Sequence, residues 1–273
     1  MPGSTRDGGR VPVVSVAGAE KVYANGTRAL APVDLEIHER EFLTLLGPSG
    51  CGKTTLLNLI AGLVAPSAGT LRWWGGDFAT TGGPGRRLGF VFQAPTLMPW
   101  ARVATNVRLP LDLAHVERSV AARDAAAALA LVGLSEFASH LPRELSGGMQ
   151  MRVSIARALA LKPDLLLMDE PFGALDEFTR QRLDGELLGL WSQERLTIVF
   201  VTHNIYEAVF LSTRVAVMGA RPGRVIAEVV VDEPHPRTDA FRVSTRFAQT
   251  CQKLSALVAD AGAGARSQWP AAR

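Results

Sequence analysis

Cysteine is nearly absent from this 273-residue chain: Cys51 and Cys251 are the only two. Thiols 200 positions apart in unlike contexts give no disulfide framework, and such usage suits a reducing compartment. Long hydrophobic runs are missing as well. The longest uninterrupted stretch of small and apolar residues, Ala125 to Leu134, has ten residues, half of the roughly 20 that a membrane-spanning helix needs. The chain is therefore not expected to cross a bilayer by itself. Its first ten residues, MPGSTRDGGR, are polar and Gly-rich; without the apolar centre of a secretory signal, a cytoplasmic location is the expectation. Charge of one sign is not in excess either, with 29 Lys and Arg against 26 Asp and Glu. A net charge of +3 with no basic cluster excludes nucleic acid from the expected partners. No internal repeat is present.

What is there fits a globular α/β protein. Hydrophobic residues make up 47% and charged residues 20%, which excludes general disorder and a fibrous repeat. The length allows one or two domains and a large core. Alternating apolar residues over Val11 to Tyr23 and Leu30 to Ile37 predict strands with one buried face. Glu41 to Leu46 runs into a Gly-rich turn, and Leu56, Leu57, Leu59, Ile60 and Leu63 then recur at helical spacing. This is a strand, loop, helix unit. Gly75 to Gly85 reads as loop and Leu88 to Gln93 as a short strand. From Ala94 to about Ala160 the pattern is helical, with an Ala-rich helix over Val116 to Val132 closed by Gly133. Strands return at Leu165–Met168, Leu196–Thr202, Arg214–Met218 and Val225–Val231, with a helix near Thr179 to Gln193. The alternation implies a mostly parallel sheet. Pro234-His235-Pro236 predicts a break, Ala240 to Ala259 one amphipathic helix, and Gly262 to Arg273 a disordered end.

Three segments carry chemistry. Gly47-Pro48-Ser49-Gly50-Cys51-Gly52-Lys53-Thr54, followed by Thr55, fits the G-x-x-x-x-G-K-[ST] phosphate loop and lies between a predicted strand and a predicted helix. Its glycines let backbone N–H groups turn toward a β-phosphate, and the helix presents its positive N-terminus. Lys53 is placed to neutralise the β- and γ-phosphates, and the Thr54 hydroxyl to hold Mg²⁺. The apolar strand Leu165 to Met168 ends in Asp169 and Glu170. Ligands of open α/β sheets gather beyond the carboxyl ends of strands, which puts Asp169 near the metal and Glu170 near the γ-phosphate, in reach of an attacking water. Leu145-Ser146-Gly147-Gly148-Met149-Gln150 opens a further helix, a second place where an anion can bind.

In this order the segments resemble the ATP-binding-cassette ATPases, and the resemblance runs from Val13 to about Pro236. It implies an α/β phosphate-loop hydrolase core with a mostly parallel sheet, N-terminal antiparallel strands and a helical insertion. The boundaries expected are a disordered N-terminus at 1–12, the ATPase domain at 13–236 with its helical subdomain at about 94–160, and a C-terminal helix and tail at 237–273. By resemblance, Tyr23 stacks on adenine and Glu170 acts as general base or water-positioning group. His203 contacts the γ-phosphate, while Gln93 senses magnesium and transmits to the partner. Ser146, Gly147 and Gly148 belong to the signature motif, and Asp176 to the loop after the strand-end acids. Met149 stands where the commonest signature form has glutamine. The family works as a head-to-tail pair, with ATP between one phosphate loop and the other copy's signature, so a homodimer is expected.

No membrane span, second cassette or long coiled-coil insert is present, which favours a separate importer subunit over an exporter or a soluble remodelling ATPase. Gln93 to Trp100, Asn106-Val107, Pro171 to Arg180 and Arg221-Pro222-Gly223-Arg224 resemble importers for nitrate, taurine, alkanesulfonates and bicarbonate. The partners implied are permease subunits and, indirectly, a periplasmic binding protein, with the cassette at the cytoplasmic face of the inner membrane. Leu97, Met98 and Trp100 form a Pro-bounded apolar loop that either meets a permease helix or closes the local core. Cys51 has two readings: at a helix start that can lower a thiol pKa it would react with alkylating agents and block ATP, or it is simply a small space-filling residue. From the short segment after Pro236, no added β-barrel domain is expected.

Overall fold

The computed structural model describes residues 12–83 and 85–266, with side chains described to residue 261. The disordered start expected at 1–12 thus falls, but for Pro12, outside the described residues. The chain order is β1 (Val14–Val22), β2 (Arg28–Ile37), β3 (Phe42–Leu46), α1 (Lys53–Ile60), β4 (Ala68–Trp73), β5 (Leu88–Val91), α2 (Val103–Leu113), α3 (Arg118–Leu131) and α4 (Gly147–Leu159). It continues with β6 (Leu165–Asp169), α5 (Glu177–Glu194), β7 (Thr197–Thr202), α6 (Ile205–Leu211), β8 (Arg214–Gly219), β9 (Arg224–Val230), α7 (Asp239–Arg242) and α8 (Thr245–Arg266).

Six strands form the central sheet in the order β5-β6-β7-β3-β8-β9, parallel except for the antiparallel β8–β9 pair. The inner strands are apolar on both faces because both faces are covered. Leu43 and Leu45 of β3, Leu165 and Leu167 of β6 and Val199 and Val201 of β7 face a core shared with α1 and the first strands. Their neighbours Phe42, Leu46, Leu166, Met168, Ile198 and Phe200 face a second core under α4, α5, α6 and α8. The period of two assigns each side chain to its core. A separate antiparallel sheet, β2-β1-β4, covers the first of these cores. β4 was not legible in the sequence, since only Leu71 and Trp73 of its six residues turn inward.

The helical insertion has its own core of Val103, Val107, Leu111, Ala125, Leu129 and Val153 from α2, α3 and α4. α3 ends as expected: Gly133 takes φ 68° and the next N–H, of Leu134, donates to Leu129 O at 2.9 Å. The C-terminal expectation needs correction. Instead of one helix over Ala240 to Ala259 there are two, α7 and α8, because Ser244 between them accepts from Phe247 N–H at 3.1 Å and starts α8 afresh. α8 also runs on through Arg266, into the segment expected to be disordered; residues 267–273 lie outside the described residues.

Candidate active site

β3 stops at Leu46 in the middle of the sheet, and the chain turns through Gly47–Gly52 into α1. Gly52 takes φ 91°, and a Cβ there would stand 2.9 Å from Ala29 O and 2.7 Å from Leu30 Cδ2. Only glycine passes this close to β2 with that backbone. The N-terminus of α1, with its unsatisfied N–H groups and positive dipole end, therefore opens beside a cavity of about 620 Å³. Ser49, Gly50, Gly52, Lys53, Thr54 and Thr55 line it, opposite Gln93 and Glu170.

Lys53 is 4% exposed and donates to Gly47 O at 2.8 Å and Pro48 O at 3.1 Å, with Glu170 Oε1 at 3.6 Å. Gly47 and Pro48 thus act here by holding the lysine, not by lining the cavity. Thr54 Oγ1 donates to Asp169 Oδ1 at 3.1 Å. Burial, reinforced by neighbouring Glu170 and opposed by the Thr54 bond, pushes the Asp169 carboxyl above its ordinary value. A hydroxyl and a carboxylate in want of positive charge are hard-oxygen donors that fit Mg²⁺. Among the described residues no group of three or more His, Cys, Asp and Glu could hold a metal alone, so such an ion would need further ligands from phosphate and water.

Glu170 sits at φ 43°, a left-handed backbone costly for a non-glycine residue. Its N–H donates to Val201 O at 3.0 Å, which ties it to β7, and its Oε2 lies 3.1 Å from His203 Nδ1 just past the end of β7. Tyr23, beyond β1, does not line the cavity, but its hydroxyl lies 3.5 Å from Oγ1 of Thr55, which does.

Ser146, Gly147, Gly148 and Asp176 are not brought to this cavity. They gather elsewhere, at the adjoining N-termini of α4 and α5, where a Cβ on Gly148 would be 3.1 Å from Thr179 Cγ2. Ser146 Oγ accepts from Met149 N–H at 3.3 Å and Asp176 Oδ1 from Thr179 N–H at 3.0 Å, capping the two helices. Met149 packs against the insertion core, while Gln150 donates to Pro142 O and Leu145 O at 3.1 and 3.2 Å. Of the two readings of Cys51, the structure favours the space-filling one. Its side chain is fully buried in the core beneath α1, and that desolvation raises the thiol pKa despite nearby Lys53. It is shielded, not activated.

The sequence reading missed one wall altogether. Thr27, Arg28 and Ala29 before and within β2, and Arg221 and Gly223 in the β8–β9 turn, complete the cavity. A Cβ on Gly223 would be 2.2 Å from Cys51 O, and Gly223 N–H donates to Ala29 O at 3.0 Å, so this turn lies against the phosphate loop. The only sequence signal for it is the Arg221-Pro222-Gly223-Arg224 turn, which by itself marks no more than the importer subgroup.

A glycine loop between a parallel strand and a helix, with strand-end acids and a histidine from the neighbouring strands, defines a phosphate-loop ATPase. Residues 30–173 match the family model described as ABC transporter, and the chain belongs to the ATP-binding subunits of that family. It is 49% identical over 223 residues to a putative ATP-binding protein of Brucella abortus (strain 2308), spanning 82% of this chain and 85% of that one. It is 44% identical to the taurine import ATP-binding protein TauB of Rhizobium johnstonii, over 86% of this chain and 91% of that one. For the aliphatic sulfonates import ATP-binding protein SsuB of Bacillus licheniformis the identity is 41%, over 88% and 92%. The dimeric structure of MJ0796, a bacterial ABC transporter cassette, superposes with a TM-score of 0.71 at 33% identity, over 81% of this chain and all of that one; the same cassette is known in a post-hydrolysis state with ADP and Pi. The chain binds and hydrolyses ATP. Among the described residues no helix is long and apolar enough to cross a membrane.

Proposed function

We propose that this chain powers an importer for a small anion, working as a homodimer bound to permease subunits at the cytoplasmic face of the inner membrane. Of the anions considered, nitrate, sulfonate or taurine, and bicarbonate, the names of the relatives support a sulfonate. A periplasmic binding protein would deliver it, since the cassette does not touch the cargo.

The observation that carries the catalytic reading is the cluster of Lys53, Thr54–Asp169 and Glu170–His203 around one helix N-terminus. In this reading the amides of Ser49–Thr55 cradle the phosphates, Lys53 compensates their charge and Tyr23 covers the base. Thr54 and Asp169, with Gln93 beside them, would hold Mg²⁺, which would supply positive charge to the phosphates. Glu170 orients the attacking water and accepts its proton. With His203 Nδ1 held by the Glu170 carboxylate, Nε2 is the ring nitrogen left to meet the γ-phosphate. Ser146, Gly147 and Gly148 of a second copy, with Asp176 beside them, close the site from outside. Their separation from Lys53 within one chain supports a site shared between two.

Glu170→Gln keeps the shape but removes the base, and turnover is expected to fall by roughly 10²–10⁴-fold with ATP binding retained. Tagged Glu170→Gln, solubilised from native membranes with ATP, should retain a polytopic permease. Recovery of soluble partners alone, with wild-type hydrolysis intact, would overturn the importer and leave the ATPase.

A further inference from the structure

An ion pair between a half-buried arginine and a buried glutamate joins the two segments that carry Glu170 and His203. Arg180, in the first turn of α5, donates to Leu175 O at 2.8 Å and to Phe172 O at 3.4 Å. These carbonyls belong to the turn that leads from Glu170 to Asp176. Its guanidinium also binds the exposed Glu177 carboxylate at 2.8 Å, and its Nε lies 3.6 Å from Glu207 Oε1. Glu207, in the first turn of α6, is 4% exposed. Its other oxygen accepts from Thr202 Oγ1. That same hydroxyl oxygen accepts from Asn204 N–H at 2.9 Å, so the bonds bracket His203 on both sides.

A simple helix contact needs none of this. Burying a carboxylate is costly, and here Oε1 is left with the ion pair but no hydrogen bond. Apolar side chains would pack α5 on α6 more cheaply. What the pair adds is direction: a planar cation fixed on two backbone carbonyls of one segment faces an anion fixed on the hydroxyl of the other. Glu170 and His203 follow directly on the ends of the adjacent strands β6 and β7, and their 3.1 Å contact depends on how the chain leaves each strand end.

We propose that Arg180 and Glu207 are positioning residues for hydrolysis, a strut that sets the Glu170 turn against the His203 turn. Neither touches the cavity. The inference rests on the reading of Glu170 and His203 as the groups that act at the γ-phosphate.

The test uses the full chain, with ATP turnover measured per folded molecule, nucleotide affinity measured by a fluorescent ATP analogue, and thermal melting. Arg180→Met should lower kcat by tenfold or more and change nucleotide affinity by less than twofold; Arg180→Lys, which can reach one carbonyl, should recover part of the loss. Glu207→Gln, which keeps the size and an oxygen for Thr202, should lower kcat by three- to tenfold. The double variant should be no worse than Arg180→Met alone, since both remove one strut. If Arg180→Met fails to fold, Arg180→Lys and Glu207→Gln decide. Unchanged kcat per folded molecule with only a lower Tm would overturn the proposal. Glu170→Gln and His203→Ala serve as controls: if they too keep wild-type turnover, the reading of the site has failed and not the strut alone.

Discussion

At Cys51 the backbone and the side chain belong to different parts of the molecule. The backbone is in the phosphate loop, yet the thiol is packed beneath α1 and raised in pKa by burial. N-ethylmaleimide is therefore expected to leave Cys51 unmodified in the folded protein, with or without ATP, and to label it only in denaturant; peptide mass mapping checks this. Arg221 is the opposite case, an exposed side chain whose place matters. Among the described residues it has no carboxylate within ion-pair distance, and it lines the cavity from a turn that Gly223 holds against Cys51 O. Arg221→Ala should raise the KM for ATP by roughly two- to fivefold, the size expected of an exposed charge contact, with kcat unchanged. High salt should shrink the difference.

Among the elements, the loop from Gln93 to α2 separates two readings of its apolar residues. Asn106, fully buried, accepts from Met98 N–H at 2.7 Å and donates to Met98 O and Ala101 O at 3.2 and 3.0 Å. With the loop pinned this way, Leu97 turns into the insertion core and Met98 is half-buried. Trp100 alone stays outside, 78% exposed. Trp100→Ala is thus expected to leave ATP affinity and Tm unchanged but to weaken co-purification with a permease. The strands were legible where both faces are buried, as at β3, β6 and β7, because an unbroken apolar run is a local signal. β4 was not, since it is held as a strand by pairing with β1, far back in the chain.

For the whole molecule, the junction of α5, α6 and α7 sets a pH dependence. Asp184 is 1% exposed and sits 3.1 Å from Arg242, yet burial and the nearby Glu207 charge push its pKa up to about 8. Desolvation outweighs the single partner. The folded state then holds a proton that the unfolded chain has released above about pH 4. Stability from this group is complete below that point, falls as pH rises toward 8 and is lost above it, by at most about 1.4 kcal/mol per pH unit. Melting curves from pH 5 to pH 8 should show Tm falling less steeply for Asp184→Asn than for the wild type.

The sequence by itself determined the class of fold and singled out the candidate residues for the chemistry. A phosphate loop, strand-end acids and a capped helix are each written within a dozen neighbouring positions, where spacing fixes geometry. The tertiary structure decided what those residues meet. The sheet order β7-β3-β8 lays the β8–β9 turn on the phosphate loop and the end of β7 beside Glu170, segments that no local pattern connects. It also turned Cys51 inward, left Ser146 and Asp176 apart from Lys53, and set Arg180 against Glu207. Such contacts follow from crossover connections and the packing of two cores, which act between distant parts of the chain and leave no periodicity behind.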